Sequence, residues 1–227
     1  MSSFSGPKID INNLVLYLDA GNSDSYVSGS TTWYDLSGNN YNGTLINGTG
    51  FSSEKNGCMT FDGIDDMVRT NFQTITVNSS FEIWANRTES VNAYNMMAGM
   101  YLPYFAMNSL NTLHFSNTIG GVQRSSYSSP SGTLINNTWY CFHFVNSYDG
   151  TNTTMKSYIN GTLVRSITNI GQTITTTFFP LVIGGWRTDS PTDYPFKGKI
   201  SIVKVYNKEL TQDEINQNYN ATKGRYL

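Results

Sequence analysis

Short runs of β-branched and aromatic residues recur along the chain between turn-forming residues, and this pattern constrains the fold most. Roughly a dozen such runs, with turn residues about every 8–12 positions, predict a β-sandwich or barrel. Asn160-Gly161 separates two alternating runs. Because Asn and Gly readily take the positive φ angles of a type I′ turn, we expect a β-hairpin there. The predicted strands are Leu14–Leu18, Met59–Phe61, Met67–Thr70, Phe81–Asn86, Tyr104–Met107, Leu113–Ser116, Trp139–Asn146, Met155–Ile159, Thr162–Ile167, Leu181–Ile183 and Gly198–Tyr206.

One convincing helix pattern lies near the C-terminus, over residues 210–221. Thr211 is placed to cap it, Glu214 three residues later completes a capping box, and Leu210 and Ile215 form a hydrophobic staple. The polar stretch of residues 20–43 contains too many turn formers for us to predict regular structure in it. We expect residues 1–13 to form an N-terminal arm and residues 14–227 to form a single domain.

Charge is scarce in this chain. Its 227 residues carry a net charge of −2, and 13% of them are charged, about half the usual share of roughly 25%. The lack of a basic excess excludes nucleic acid as the expected ligand, and no apolar run is long enough for membrane insertion. The N-terminal residues show no basic region followed by an apolar one, so we expect no signal peptide.

The residues available for nucleophilic or metal chemistry are few. Cys58 and Cys141 lie in apolar, strand-like stretches, and we expect two buried free thiols that behave as small hydrophobes. Two Cys and two His residues at these spacings do not make a zinc site. His143 alternates with Phe142 and Phe144, which predicts a packed strand histidine. No G-x-S-x-G motif is present.

Paired carboxylates for glycoside hydrolysis are also missing from the sequence. A retaining glycosidase needs two carboxyl groups about 5–5.5 Å apart, and residues i and i+2 of a strand share a face. Glu82 has Trp84 at i+2. Asp65 and Asp66 are adjacent, so on a strand they would point to opposite faces. We therefore expect a protein that is not an enzyme.

Seven segments, taken in order, make the chain resemble the laminin-G-like, concanavalin-A-like lectin/glucanase superfamily. FDGxDD is specific in combination with the later G-x-I-x-x-V-x-x-Y-N-x-x-L-(S/T)-x-x-E-I pattern. The chain looks most similar to stand-alone versions encoded by tailed bacteriophages. The segments are LVLYLDAGN (14–22), WYDLSGNNYNGTL (33–45), FDGIDDMV (61–68), FEIWANR (81–87), TWYCFHFVNSYDG to YINGTLV (138–164), LVIGGW (181–186) and FKGKISIVKVYNKELTQDEINQNYNATKGRYL (196–227).

The resemblance implies an all-β jelly-roll sandwich of two antiparallel sheets, with one short C-terminal helix, and frequent carbohydrate recognition. Relatives of the laminin-G and pentraxin type often bind calcium at a sheet rim, which makes Asp19, Asp35 and Asp62 candidate calcium ligands. The alternative is that these acids hold turns by accepting backbone N–H bonds.

Sugar binding in lectin-like sandwiches uses aromatic rings together with amide and hydroxyl groups. Trp33, Trp84 and Trp139 lie in strand-like or family motifs and are predicted to be core. Two other stretches, 94–104 near a loop and the loop 186–194, are rich in aromatic and polar residues. Either is a binding rim or a protein–protein contact, where such residues are also enriched. The candidates are Tyr94, Tyr101, Tyr104, Trp186, Arg187, Asp189 and Tyr194.

Three functions remain. The first is a non-enzymatic virion surface protein, for decoration or in a fibre, whose lectin-like domain contacts host glycans weakly and multivalently. The second is a structural cement protein that bridges capsid or tail subunits without binding glycans. The third is a glycan depolymerase, which the missing carboxylates disfavour. The expected partners are capsid or tail subunits, host surface glycans and further copies of the chain.

Overall fold

The computed structural model describes residues 8–127, 132–169, 171–174, 179–187 and 190–227. Within these ranges the chain forms sixteen strands and one α-helix, α1 (Gln212–Thr222). The strands are β1 (Leu14–Asp19), β2 (Thr32–Trp33), β3 (Gly43–Ile46), β4 (Gly50–Ser52), β5 (Cys58–Asp62), β6 (Met67–Thr70), β7 (Ser79–Arg87), β8 (Tyr94–Gly99), β9 (Tyr104–Asn108), β10 (Leu113–Ile119), β11 (Val122–Tyr127), β12 (Tyr140–Tyr148), β13 (Thr153–Ile159), β14 (Thr162–Asn169), β15 (Val182–Ile183) and β16 (Lys197–Tyr206).

These strands pair into two antiparallel sheets. Sheet A has the order β14-β13-β12-β7-β16-β5-β4, with β1 also paired to β16. Sheet B has the order β11-β10-β9-β8-β15-β6-β3-β2. Neighbours such as β7 and β16 are distant in sequence, as the crossovers of a jelly roll require. The predicted jelly-roll sandwich is confirmed.

The core lies between the two sheets and consists mainly of aromatic side chains. Along β7 and β12, alternate residues point inward, because successive side chains of a strand face opposite sides. Phe144 of β12 meets Phe105 of β9 across the interface, with ring centroids 4.4 Å apart. Phe81 of β7 contacts the same Phe105 ring at 4.5 Å. This contact fixes which face of each sheet is internal.

The outer face of sheet A is covered by the C-terminal residues. Trp84 stacks on Tyr226 with centroids 3.9 Å apart, and its indole Nε1 donates to Thr222 Oγ1 at 2.9 Å. Leu210 and Ile215 pack nearby in a second buried cluster on this face. Trp84 is therefore buried as predicted, but under the chain terminus rather than between the sheets.

The capping box and the hairpin are confirmed. The Thr211 side chain accepts from the Glu214 backbone N–H, and the Glu214 side chain accepts from the Thr211 N–H. Asn160 and Gly161 have φ angles of 51° and 80° and join β13 to β14. No helix among the described residues is long and apolar enough to span a membrane.

The described part of the predicted N-terminal arm packs on the domain. The Asp10 backbone N–H donates to Asn218 Oδ1 of α1 at 2.8 Å, and its carbonyl accepts from the Tyr206 hydroxyl at 3.0 Å. The Asp10 carboxylate forms an ion pair with Lys208. Residues 8–13 are thus part of the layer that covers sheet A.

The short strands β2, β3, β4, β8 and β11 were not predicted. Residues 20–43, expected to lack regular structure, contain β2 and the first residue of β3. Residues 94–99, assigned near a loop, form β8. β2 and β3 are only two and four residues long, and β4, β8 and β11 hold at most one β-branched residue each, so pairing with neighbouring strands, not local propensity, makes them strands.

Candidate functional site

The outer face of sheet B carries a pocket of about 290 Å³. It is formed by the β8–β9 hairpin, the residues that follow β15, and one residue of β11. Five of the seven candidate residues line it. The lining residues are Tyr94, Met96, Tyr101, Leu102, Tyr104, Gln123, Trp186 and Tyr194. We call this the aromatic pocket.

Strand alternation places the hairpin residues on this face. Phe105 of β9 points into the core, so Tyr104 beside it points outward, where it packs with Met96 and Ala106 in a separate buried cluster. The absence of a side chain at Gly99 makes room for the loop after β15. A Cβ at Gly99 would lie 2.8 Å from the backbone oxygen of Trp186.

Trp186 and Tyr101 form a stacked pair at the rim. Their ring centroids are 5.3 Å apart with an interplanar angle of 21°, and the Trp186 indole Nε1 donates to the Tyr101 carbonyl at 2.8 Å. Tyr101 has a φ of +70° and is 36% exposed. Two partly exposed aromatic faces are thus held in fixed positions at the mouth of the pocket.

Arg187 lies against the same pair, with its guanidinium carbon 4.8 Å from the Trp186 ring centroid and 5.7 Å from that of Tyr101. Its Nη2 also donates to Ser190 Oγ at 3.2 Å. Arg187 therefore supports the rim next to the pocket rather than lining it. The remaining candidate, Asp189, lies outside the described residues.

Three tyrosines, Tyr94, Tyr104 and Tyr194, form a wall of the pocket, and a buried histidine lies behind them. The Tyr194 ring packs edge-on to Tyr94 at 5.7 Å and to Trp186 at 5.6 Å. His114, beneath them, lies 4.8 Å from the Tyr94 ring and 5.2 Å from that of Tyr104. Burial lowers the pKa of His114 to about 4, so this wall is uncharged at neutral pH. The contribution of His114 was not predicted.

The polar groups of the described pocket lining are uncharged side chains. Gln123 Nε2 donates to the Tyr104 hydroxyl at 3.1 Å, and burial raises the pKa of Tyr104, so its hydroxyl stays protonated. None of the described lining residues is acidic. Apolar and aromatic walls with a few fixed donors and acceptors are typical of sites for small neutral ligands. The arrangement can bind but offers no acid–base pair.

Asp19 and Asp35, two of the candidate calcium ligands, use their oxygens within the protein. Asp19 Oδ1 accepts from Arg225 Nη1 at 2.7 Å and from the Gly21 N–H at 2.9 Å. Asp35 accepts from the backbone N–H groups of Tyr17, Ser37 and Tyr41, and from the Ser37 hydroxyl. Asp35 thus has the turn-holding role that was the alternative to calcium binding.

Asp62 stands in an acidic cluster at the turn between β5 and β6. Ligand atoms of Asp62, Asp65 and Asp66 all lie within 4.8 Å of one another. Asp65 and Asp66 lie in the turn that the two predicted strands flank, so strand alternation does not separate their carboxylates. Burial, and then the nearby carboxylates, raise the pKa of Asp66. Among the three predicted ligands, Asp62 alone lies in a group that fits the oxygen coordination preferred by Ca²⁺.

A buried charged network lies on the outer face of sheet A and was not predicted. Lys204 Nζ donates to Glu82 Oε1 at 2.8 Å, and His143 Nε2 lies 3.4 Å from Glu82 Oε2. Cys141 Sγ is 3.8 Å from His143 Nδ1. All four side chains are fully buried. A thiol, an imidazole and a carboxylate in line suggest a catalytic triad, but no substrate reaches them under the C-terminal layer.

Both cysteines are free and buried, as predicted. Burial raises the pKa of Cys58 to about 11 and also raises that of Cys141. Because the thiolate is the nucleophilic and metal-binding form, neither cysteine is reactive at neutral pH.

The sandwich and its open face define a lectin-like jelly-roll domain of a carbohydrate-binding type. The laminin G sequence profile, described as the concanavalin A-like lectin/glucanases superfamily, matches residues 62–216. The chain therefore belongs to this superfamily. No curated protein matches the sequence.

Solved structures share the fold at low identity. Domain 4 of an extracellular arabinanase from Geobacillus stearothermophilus, in complex with arabinotriose, has a TM-score of 0.65 at 17% identity and covers 91% of this chain and 98% of its own. The receptor-binding domain of botulinum neurotoxin type G has a TM-score of 0.66 at 15% identity. The botulinum neurotoxin serotype D ligand-binding domain in complex with N-acetylneuraminic acid has a TM-score of 0.66 at 19% identity. The chain covers 51% of each of these two toxin domains, with 92% of its own length.

Proposed function

We propose that this protein is a non-enzymatic glycan-binding module displayed in many copies on a virion surface, where it contacts host glycans. The single observation that carries the binding role is the aromatic pocket, with its stacked and partly exposed Trp186–Tyr101 pair. The superfamily membership is consistent with it.

Ring stacking is the physical basis of the proposed binding. The C–H face of a sugar ring carries slight positive charge, and the face of an aromatic ring is negative. The Trp186–Tyr101 pair offers such faces at the rim, while the hydroxyls of Tyr94 and Tyr194 and the Gln123 amide supply hydrogen bonds to sugar hydroxyls. Two structural neighbours were solved with arabinotriose and with N-acetylneuraminic acid, which supports carbohydrate as the ligand class.

Two features support a binding module rather than an enzyme. The described lining of the aromatic pocket holds no carboxylate. Glu82, the strand carboxylate considered for catalysis, is fully buried and paired with Lys204. Hydrolysis by the retaining or inverting route needs two carboxyl groups at the scissile bond, and the pocket supplies none.

The virion location rests on the sequence resemblance to stand-alone domains of tailed phages. It also fits the low charge of the chain, which suits neutral partners such as capsid or tail subunits. A shallow pocket gives weak individual binding. Display in many copies raises the effective concentration and gives avidity of about 10²–10⁴ over one site without new contacts.

A glycan array probed with a multimeric form of the protein tests the proposal. We expect saturable binding whose apparent affinity is weakened at least tenfold by Trp186→Ala or Tyr101→Ala, a loss of about 1.4 kcal/mol in the apparent binding free energy. Tyr34→Ala is the matched control, because Tyr34 is 48% exposed and does not line the pocket. An array with no hits, together with particles that fall apart without the protein, would replace this function with the cement role. Release of reducing ends would establish an enzyme.

A further inference from the structure

A second pocket, of about 380 Å³, lies beside the aromatic one and has a different chemistry. We call it the polar pocket. Its lining includes the side chains of Thr32, Thr44, Arg69, Asn71 and Gln73, together with Pro180. The described lining residues include no Asp and no Glu. Hydroxyls, amides and one guanidinium therefore define the pocket.

Arg69 is exposed, and its guanidinium forms no hydrogen bond or ion pair within the described ranges of the chain. A guanidinium offers five N–H donors in a planar fork that matches a carboxylate or a sulfate. Thr32 and Thr44, on the strands beside Arg69, likewise have no hydrogen bond from their hydroxyls among the described residues. The polar pocket thus presents a positive charge and free hydroxyls to a ligand.

The strand register puts both pockets on one line across sheet B. Thr32 pairs with Thr44, Thr44 with Arg69, and Arg69 with Val182. The line continues from Val182 to Gly99 and from Gly99 to Tyr104 of the aromatic pocket. Arg69 and Tyr104 are three strands apart, which is about 14 Å at the usual strand spacing of about 4.8 Å.

The chain just before β15 links the two pockets a second time. The Phe179 ring lies 5.5 Å from the Tyr101 ring at the rim of the aromatic pocket. The next residue, Pro180, lines the polar pocket. A ligand that leaves one pocket along this segment therefore meets the other.

We propose that the two pockets are subsites for one acidic oligosaccharide that runs across the strands of sheet B. This rests on the proposed function. A sugar ring stacks at Trp186 and Tyr101, and an anionic group on a sugar further along the oligosaccharide binds the Arg69 guanidinium. A charge-assisted, two-pronged hydrogen bond of this kind selects acidic glycans over neutral ones.

The test uses matched pairs of oligosaccharides. Each carboxylated glycan is printed beside its methyl-esterified form, which has the same sugar sequence without the charge. We expect the multimeric wild-type protein to bind the acidic member at least fivefold more tightly. In Arg69→Gln, we expect the two members to bind equally, at the level of the neutral one. Arg165→Gln is the control, since Arg165 is an exposed arginine on β14 of the other sheet.

The variants separate this inference from the proposed function. Trp186→Ala should lose both members of each pair, whereas Arg69→Gln should lose only the preference. Glycan binding without preference for the acidic member of any pair, carboxylated or sulfated, or a preference that survives Arg69→Gln, would overturn the inference and leave the proposed function standing. Absence of binding to every glycan would overturn both.

A second set of matched pairs distinguishes a carboxylate from a sulfate as the source of the negative charge. Sulfated oligosaccharides are printed beside their desulfated forms. Preference in the carboxylated pairs alone assigns a uronate-type ligand, and preference in the sulfated pairs alone assigns a sulfated one. In either case the preference must disappear in Arg69→Gln.

Discussion

The Trp84–Tyr226 and Trp186–Tyr101 stacks differ in what covers them. Trp84 and Tyr226 lie 3.9 Å apart and are buried under the C-terminal residues. Trp186 and Tyr101 lie 5.3 Å apart at the open rim of a pocket. The first pair stabilises the fold, and the second is free to meet a ligand. The role of an aromatic residue here is therefore set by the layer above it.

The buried pair of Glu82 and Lys204 should be costly to break. We expect Glu82→Gln to lower the free energy of unfolding by about 3–5 kcal/mol, because it leaves the Lys204 charge buried without its partner. The double variant Glu82→Gln/Lys204→Met should recover most of that loss, since it removes both charges. Urea unfolding of the three proteins measures this. A single variant as stable as wild type would show that the pair contributes nothing.

The same pair makes stability depend on pH. Burial acts to raise the pKa of Glu82, but the Lys204 charge and the His143 hydrogen bond outweigh it and hold that pKa at about 2, against a usual 4.5. The folded state therefore binds this proton less tightly than the unfolded state. The stabilisation is present above about pH 4.5 and is lost as the pH falls toward 2. Urea midpoints of wild type should fall more steeply across this range than those of the double variant.

At the scale of elements, Gly99 of β8 allows the loop after β15 to pack closely against the hairpin of β8 and β9. We expect Gly99→Ala to displace Trp186, because the new Cβ would lie 2.8 Å from a backbone oxygen rather than from a flexible side chain. Glycan binding should fall at least tenfold. Gly185→Ala is the control, since its Cβ would meet Val182 and Met67 at ordinary contact distances. Full binding by Gly99→Ala would mean that Trp186 does not need this placement.

The cap of α1 is a second element with a measurable effect. Thr211→Ala removes the capping bond to the Glu214 N–H and should cost about 1 kcal/mol, as for other Thr caps. Thr211→Ser keeps the hydroxyl and should be close to wild type. Urea unfolding measures both. Because α1 covers sheet A and not sheet B, the glycan affinity of both variants should be unchanged.

Elements with a strong local sequence pattern were predictable, whereas strands that form only by pairing with other strands were not. The hairpin at Asn160-Gly161 and the capping box at Thr211 are each determined by residues close together in the sequence. β2 and β8 are not, because β2 is only two residues long and the Asn, Met, Ala and Gly residues of β8 do not favour a strand. Their place depends on pairing with β3, β9 and β15, which local propensity does not encode.

The candidate site divides in the same way. The aromatic pocket was predictable in outline, since its residues come from two short, unusually aromatic stretches. The polar pocket was not, because Thr32, Thr44 and Arg69 lie on three separate strands and meet only through the register. The turn at Asp62 was predictable from the strands on either side, whereas the close approach of its three carboxylates depends on the conformation of the turn.

At the scale of the whole molecule, the two sheets have unlike outer faces. Sheet A is covered by residues 8–13, α1 and the C-terminus, and it holds the buried charges. Sheet B is open and carries both pockets. Both pockets therefore lie on the face opposite the one that the N-terminal residues, α1 and the C-terminus cover.

The four tryptophan indole N–H signals in a nitrogen-15 NMR titration test the central claim most directly. Trp33, Trp84 and Trp139 are each at most 6% exposed, whereas Trp186 lines the aromatic pocket. On addition of a glycan identified by the array, we predict that the Trp186 signal shifts and saturates while the other three stay in place. Saturating glycan that moves another tryptophan and leaves Trp186 unchanged would contradict the account.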